Sequence, residues 1–317
     1  RPTDQPTARP LPPKAMLNLT HEYQKWNNCG PVSAAVVTTF FGIPRTQLDV
    51  AAEVKGGEFD KNVSPSELQT YLQSVGLRVL VRVNGSRESL MRLVAAGIPV
   101  IVQQWLRKDN GELVGHYRVV QGYDLSADVF VTSDPFTPPR KVYTFAEFEQ
   151  FWQPWNHRYL VAYRAEQEAM VGAMLGDDVD ERQNAQRALA ASLAAIRANA
   201  NDAHSFFNVG DDRLALGDAA GAVAAYDQAF ALGLPAHFAW YNFGPFDALY
   251  QVGNYQRMLD LSAPMLKDAG TVEEIHFWRG KAYLALGDKQ NARAELALAV
   301  QLNARYADAR AMWERVR

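Results

Sequence analysis

Apolar positions along the chain change their period once, near residue 165. Before that point a continuous apolar run over residues 32–41 predicts a buried helix. Residues 64–75 predict an amphipathic helix, opened by Ser64 as a capping residue and Pro65 in the first turn. Four short β-branched-rich segments follow, at 77–83, 99–105, 116–123 and 129–133, separated by Gly, Asn, Asp or Ser clusters that favour turns. Helices first and strands after predict an α+β domain over residues 16–165. Beyond it Ala, Leu, Gln and Arg dominate at helical spacing, which predicts an all-α domain over residues 181–317. Residues 166–180 read as a linker, in which Asp177, Asp178, Asp180 and Glu181 give a solvated acidic run and a favourable helix start rather than a calcium site. Residues 1–15 carry Pro2, Pro6, Pro10, Pro12 and Pro13 among polar residues and predict an extended tether.

The helical half is internally repetitive. Leu214-Ala-Leu-Gly-Asp218 recurs unchanged at Leu284-Ala-Leu-Gly-Asp288, and Gln251-Val-Gly-Asn-Tyr255 occupies the equivalent place between them. Gly217, Gly253 and Gly287 are thus 36 and 34 residues apart, with a helix expected to end at each and another to begin just after it. Ala222, Tyr226 and Ala229, and later Ala292 and Ala299, supply small and aromatic positions of a second helix. This pattern resembles the tetratricopeptide repeat over roughly residues 203–305, which implies a solenoid that binds a protein partner or substrate. The middle unit is degenerate: Gly244-Pro245 falls inside its first helix, so a kink or displaced start is expected there. A helix over about 181–199 should precede the array, and one over about 306–317 should cap it.

Composition narrows the function classes. Of 317 residues 48% are hydrophobic and 21% charged, ordinary for a globular chain able to bury cores. A net charge of −3 provides no basic field for a phosphate backbone, so no nucleic-acid partner is expected. No stretch reaches the roughly 18 apolar residues of a transmembrane segment. The start at Arg1 is compatible with a removed signal or lipid anchor, and so with export or membrane tethering. One cysteine excludes an internal disulfide and multi-cysteine metal sites. His21, His157, His204, His237 and His276 show no metal-ligand spacing, and neither metal nor cofactor is expected.

Chemistry concentrates in three segments. The first is Gln24-Lys-Trp-Asn-Asn-Cys29-Gly-Pro31, leading into the buried helix. A thiol at a helix N-terminus is acidified by unpaired N–H groups and the positive dipole end. The second is the strand beginning Gly115-His116, and the third is the strand ending Ser133-Asp134-Pro135. A hairpin joining the two through a three-residue loop at 125–127 pairs Asp124 with Asp128 and puts Asp134 opposite Arg118, on the face of His116. A two-residue loop puts His116 and Asp134 on opposite faces, so the arrangement needs the odd loop or a bulge. In that geometry Cys29 attacks a carbonyl, His116 takes the thiol proton, Asp134 orients the imidazole, and Gln24 with the Cys29 N–H stabilises the oxyanion. A lone cysteine is more often structural, a strand-end histidine more often packed, and an Asp before proline more often a turn residue. It is their order and spacing together that favour catalysis. Trp26, Trp105, Trp152 and Trp155 could line a substrate cleft, but aromatic residues in a domain of this size more often fill core or cover loops, and none is assigned a role.

Gln24 five residues before Cys29, Cys29-Gly-Pro31, Phe41-Gly42, Gly115-His116 and Asp134-Pro135 together resemble the papain-like cysteine peptidases of the bacteriocin-processing, double-glycine-leader type, over about residues 17–163. The resemblance implies a papain-like α+β domain carrying a Cys29–His116–Asp134 site assisted by Gln24, here followed by a tetratricopeptide-repeat solenoid. No Gly-rich phosphate loop of the Walker type is present in these 317 residues, so export by the same chain is not expected. The resulting expectation is a cysteine peptidase acting on a peptide or unfolded protein segment, with the repeats recruiting substrate or partner. Two rivals use the same residues: a non-catalytic peptide-binding scaffold, and an acyl or amide transferase in which an amine resolves the thioester.

Overall fold

The computed structural model describes residues 10–57, 60–235, 238–239 and 241–317. The first apolar run forms helix α1 (Cys29–Phe40), three residues longer at its N-terminus than the run itself and closed at Gly42, whose φ of 78° suits glycine. Helix α2 (Gln47–Val54) follows, then α3 (Pro65–Ser74), where Ser64 and Glu67 complete a capping box behind Pro65. Strand β1 (Lys14–Met16) precedes all three. After them come β2 (Arg78–Arg82), α4 (Arg87–Ala95), β3 (Val100–Arg107), β4 (Leu113–Asp124), β5 (Val129–Ser133), β6 (Lys141–Thr144), α5 (Phe145–Trp152) and β7 (Tyr159–Tyr163). The strands form one antiparallel sheet in the order β2-β7-β3-β4-β5-β6, with β1 added to the end of β4 that β3 does not reach.

Side-chain alternation sends the two faces of the sheet into two cores. Ile101, Val119 and Leu160 join Val32, Val36, Leu68 and Leu72 from α1 and α3. Val100, Val102, Val120 and Val161 join Leu90, Leu93, Phe148 and Trp152 from α4 and α5. Because both faces are covered, the central strands read as continuous apolar runs. This is the expected α+β architecture built on an antiparallel sheet.

Two boundaries differ from expectation. The tether does not extend to residue 15: Lys14–Met16 pairs with Asp124, Tyr123 and Gly122, and the carbonyls of Pro12 and Pro13 accept hydrogen bonds from Tyr123 Oη and Leu125 N, both at 2.9 Å. Residues 1–9, with Pro2 and Pro6, lie outside the described residues, as does His237. The stretch expected as a linker contains helix α6 (Glu168–Leu175) and a 3-10 turn at Gly176–Val179. Val171 and Leu175 of α6 are buried in the second core. Met170, Val171, Met174 and Leu175 recur at helical spacing, and this amphipathic signal outweighs the acidic run that follows.

The rest of the described chain is helical: α7 (Glu181–Ala198), α8 (Ala203–Ala215), α9 (Ala219–Ala231), α10 (Gly244–Gln251), α11 (Tyr255–Ser262), α12 (Leu266–Ala269), α13 (Glu273–Ala285), α14 (Lys289–Leu302) and α15 (Ala307–Val316). The repeated pentapeptide has a local cause. Gly217 and Gly287 take φ of 88° and 82° to stop α8 and α13, and the Asp after each caps the next helix, accepting from Gly221 N at 2.8 Å and Asn291 N at 3.0 Å. Gly244-Pro245 opens α10 as a displaced start. No helix among the described residues is long and apolar enough to cross a membrane.

The helices pack on the sheet domain through mixed polar and aromatic contacts. Asn156 Nδ2 donates to Asp212 Oδ1 at 2.6 Å, Asn208 Nδ2 to the Gln153 carbonyl at 3.0 Å, and Arg82 Nε to the Asp178 carbonyl at 2.7 Å. Trp105 and Trp155 share a core with Phe207, Tyr226, Leu234 and Phe238.

Candidate active site

Cys29 is the first residue of α1, presented by a loop that a single glutamine braces. Gln47 Oε1 accepts from Lys25 N at 2.7 Å and Asn28 Nδ2 at 3.0 Å, while its Nε2 donates to Glu22 Oε1 at 2.7 Å and the Tyr23 carbonyl at 2.8 Å. Lys55 Nζ adds bonds to the Trp26 carbonyl at 3.2 Å and Asn28 Oδ1 at 3.0 Å. With Asn27 at a φ of 52°, these contacts turn the chain into the helix. Sequence reasoning missed Gln47 and Lys55, since nothing in their local pattern distinguishes them from ordinary residues of an exposed helix.

The β4–β5 register reaches the expected pairing by an unexpected route. The loop has four residues, 125–128, so Asp124 faces Val129 and not Asp128. Continued unbroken, that register would put Asp134 opposite Val119 and turn it away from His116. A bulge at Gln121 shifts the pairing to Val120↔Thr132 and Val119↔Ser133, and the next step brings Asp134 to Arg118. The bulge thus does what the three-residue loop was expected to do.

Asp134 is fully buried and takes four hydrogen bonds. Oδ1 meets His116 Nε2 at 2.8 Å and accepts from Phe136 N at 2.9 Å. Oδ2 accepts from Arg118 Nε at 2.5 Å and Tyr143 Oη at 3.1 Å. Arg118, 1% exposed, is held in turn by Gln104 Oε1 at 3.0 Å and the Trp105 carbonyl at 3.1 Å, and its guanidinium lies over the Tyr143 ring. Burial opposes ionisation of Asp134, yet the charges of His116 and Arg118 and these hydrogen bonds hold its carboxyl well below the usual range. Arg118 and Tyr143 were not among the residues assigned a role from sequence. The signal for Arg118 was the register itself, which placed it opposite Asp134, whereas nothing local marked Tyr143.

Beside its bond to Asp134, His116 lies next to Cys29, and the two groups shift one another's pKa. Because Nε2 faces Asp134, the other ring nitrogen, Nδ1, is the one available to the thiol. Burial penalises the Cys29 thiolate, but the hydrogen bond and charge of His116, with hydrogen bonds to the Tyr117 and Gly30 backbone, outweigh it and lower the thiol pKa. Burial likewise disfavours the imidazolium, and Asp134 together with Cys29 outweighs that and raises the imidazole pKa. The two shifts favour a thiolate–imidazolium pair.

Gln24 joins the same cleft. Its N donates to the Pro135 carbonyl at 2.9 Å, tying the loop before Cys29 to the residue after Asp134, and its Oε1 is buried without a partner. The cleft measures about 790 Å³ and is lined by Gln24, Cys29, His116 and Tyr241. Tyr23, Trp26 and Phe136 line it too and are more than half exposed, at 58%, 63% and 51%. Tyr241 comes from the helical half. Its ring and that of Trp155 press on Gly115, where an added Cβ would lie 2.9 and 2.8 Å from them. A side chain at 115 would displace the backbone that carries His116, which accounts for a glycine there. Trp105 and Trp155 are buried below this point, as core.

Such an arrangement can polarise a thiol, donate a proton to a leaving group and accept an extended ligand. Residues 16–160 match the Peptidase_C39 like family. The matched segment is somewhat less than half of the chain, and it contains Gln24, Cys29, His116, Arg118, Asp134 and Tyr143. A solved structure from Bacillus anthracis that is called a C39-like peptidase is similar at 17% identity, covering 48% of this chain and 98% of that one with a TM-score of 0.38. The MamA RS-1 ArsTM double mutant is similar at 19% identity, covering 43% of this chain and 75% of its own, with a TM-score of 0.40. No curated protein matches the chain.

Proposed function

We propose that the protein is a cysteine peptidase that cleaves a peptide or unfolded protein segment through an acyl-enzyme on Cys29. The observation that carries this reading is Cys29 beside His116 on one cleft, with His116 hydrogen-bonded to the buried Asp134, all within the segment that matches the C39-like family. In the first half-reaction the Cys29 thiolate attacks the scissile carbonyl, and the proton held on His116 passes to the departing amine as the C–N bond breaks. In the second, His116 takes a proton from water, the hydroxide attacks the thioester, and Cys29 leaves as thiolate. Asp134, kept ionised by Arg118, holds the ring in place and stabilises its charged form. The Gln24 carboxamide and the Cys29 N–H serve the oxyanion.

The aromatic rim of Tyr23, Trp26 and Phe136 supports apolar side chains on the substrate near the scissile bond. Tetratricopeptide-like repeats in the helical half recruit substrate or partner, a role supported by the paired helices around Gly217, Gly253 and Gly287 and by Tyr241 reaching the cleft. On this reading Tyr241→Ala raises KM for a peptide substrate more than it lowers kcat.

The test is a peptide library incubated with the full chain, followed by mapping of the site labelled by an electrophilic peptide built on the best substrate. Label on Cys29 and complete loss of cleavage in Cys29→Ala are expected. Cleavage that survives the substitution, or label elsewhere, rejects the assignment.

A further inference from the structure

We infer that Glu67, Glu273 and Glu274 bind a hard divalent cation at the seam between the sheet domain and the helical half. Glu67 lies in the first turn of α3, and Glu273 and Glu274 open α13, some 200 residues later in the chain. The fold brings the two helix starts together so that one carboxylate oxygen from each of the three residues lies within 4.8 Å of the others. Linear motif searches depend on short spacing and pass over such a set.

An acidic residue in a first helical turn is ordinary, because it offsets the helix dipole. That explains one carboxylate per helix on the surface and does not explain the burial found here. Glu273 is 1% exposed; its Oε1 accepts from Asn303 Nδ2 at 2.7 Å, and its Oε2 is buried without any hydrogen bond. Glu274 Oε2 is likewise buried and unpartnered. Glu67 Oε2 has two donors, Ser64 N at 2.7 Å and Ser64 Oγ at 2.8 Å. Among the described residues no ion pair involves any of the three. Nearby cations are engaged elsewhere: Lys55 Nζ reaches Asn28 and the Trp26 carbonyl, and Arg305 donates to the Lys55 carbonyl. Buried polar oxygens without donors call for a partner.

The donor set selects the partner's chemistry. Three carboxylates without His or Cys suit a hard ion such as calcium, magnesium or manganese rather than zinc or copper. An adjoining groove of about 640 Å³, lined in part by Ser64, Ser66, Thr70 and Asp308, has room for the waters that complete a six- to eight-oxygen shell. A bound cation would tie α3 to α13 and so pin the helical half onto the layer that carries α1 and Cys29. Burial, with the nearby carboxylate of Asp60, pushes Glu67 and Glu273 up to about 7, and burial with the charges of Glu273, Glu67 and Asp60 pushes Glu274 well above the usual carboxylate range.

The test uses the full chain stripped with a chelator and titrated calorimetrically with calcium, then magnesium and manganese, at pH 7.5, with thermal melts in parallel. One equivalent of metal should bind per chain, and the melting temperature should rise with metal concentration. Glu273→Gln and Glu274→Gln should each weaken binding by about tenfold or more, and in chelator both should melt above the parent because a repulsive charge is gone. No saturable binding of any of the three metals to the parent protein overturns the inference without reference to any variant. Binding that is unchanged in both variants overturns it as well. A melting temperature that follows pH and ignores metal assigns the cluster to shared protons instead.

Discussion

Asp134 and Glu273 are buried to the same degree, 0% and 1% exposed, and are driven in opposite directions. Asp134 receives four donors, two of them from His116 and Arg118, and stays ionised far below the usual carboxylate range. Glu273 receives one donor, from Asn303, sits beside two further carboxylates, and is pushed up to about 7. Burial is common to both, so it cannot be what separates them. The supply of donors and positive charge decides whether a buried carboxylate serves as a permanent anion or waits for a proton or a cation.

The sharpest way to break this contrast is Asp134→Asn, which keeps the shape and removes the charge. On the proposed mechanism kcat should fall by on the order of 10³-fold, because the imidazolium loses its counter-ion. Arg118 would be left buried without a partner charge, a loss of about 3–5 kcal/mol of stability. Steady-state kinetics and urea unfolding read the two effects separately. A kcat within tenfold of the parent would remove Asp134 from the mechanism.

Next in size is the acidity of Cys29 itself. His116 lowers the Cys29 thiol pKa, and Asp134 with Cys29 raises that of the imidazole, so both shifts favour the thiolate–imidazolium pair that the proposed mechanism uses. Activity should therefore rise as pH increases through the thiol pKa and fall as it increases through the imidazole pKa. At pH 6 iodoacetamide should modify the native protein at least about tenfold faster than the urea-unfolded chain, whose thiol titrates near 8.5. Asp134→Asn should abolish most of that difference, whereas Glu273→Gln should leave it unchanged. Equal native and unfolded rates would mean that His116 does not activate the thiol.

The acidic cluster supplies the opposite sign. Glu273 titrates near 4.5 when unfolded and about 7 when folded, so between these values the native state holds more protons. Its contribution is fully present below about 4.5 and is lost as pH rises through 7. In chelator, Glu273→Gln should then stabilise the protein at pH 8 by on the order of 1–3 kcal/mol, with the gain vanishing at pH 4. Urea midpoints at the two pH values check this, and a substitution that destabilises at pH 8 would show that the carboxylate has a partner.

The two sites also differ in how far they could be read from the chain. Cys29, His116 and Asp134 stand next to local signals, a helix start, a strand start and a strand end; counting positions across one hairpin brought His116 and Asp134 together, and the family resemblance added Cys29. Even there the loop length was misjudged, because a bulge at Gln121 and a four-residue loop leave Asp134 in the same place as a three-residue loop without a bulge. Gln47, Lys55 and Tyr143 act through contacts that no local pattern encodes. The acidic cluster depends on how the helical half docks on the sheet domain, which is long-range packing. Helix α6 was legible in principle: Val171 and Leu175 share a helical face, and the acidic residues after them drew the reading toward a linker.

The smallest expected effect probes whether the donors on Asp134 are redundant. Tyr143→Phe removes the 3.1 Å bond to Oδ2 and leaves His116, Arg118 and the Phe136 N–H in place. A carboxylate oxygen that keeps its bond to Arg118 is not orphaned by this loss, so the cost is that of one net hydrogen bond, about 0.5–1.5 kcal/mol. Asp134 remains ionised at neutral pH because the two cations beside it are untouched. The alkaline limb of the activity profile should therefore stay within a few tenths of a pH unit of its parent position, and kcat should fall less than about tenfold. The same measurement on an Arg118→Met, Tyr143→Phe double variant should exceed the sum of the single effects, since Oδ2 then has neither donor. Strict additivity would mean that Tyr143 packs against Arg118 without supporting Asp134, and the four-donor account of why this carboxylate differs from Glu273 would reduce to three.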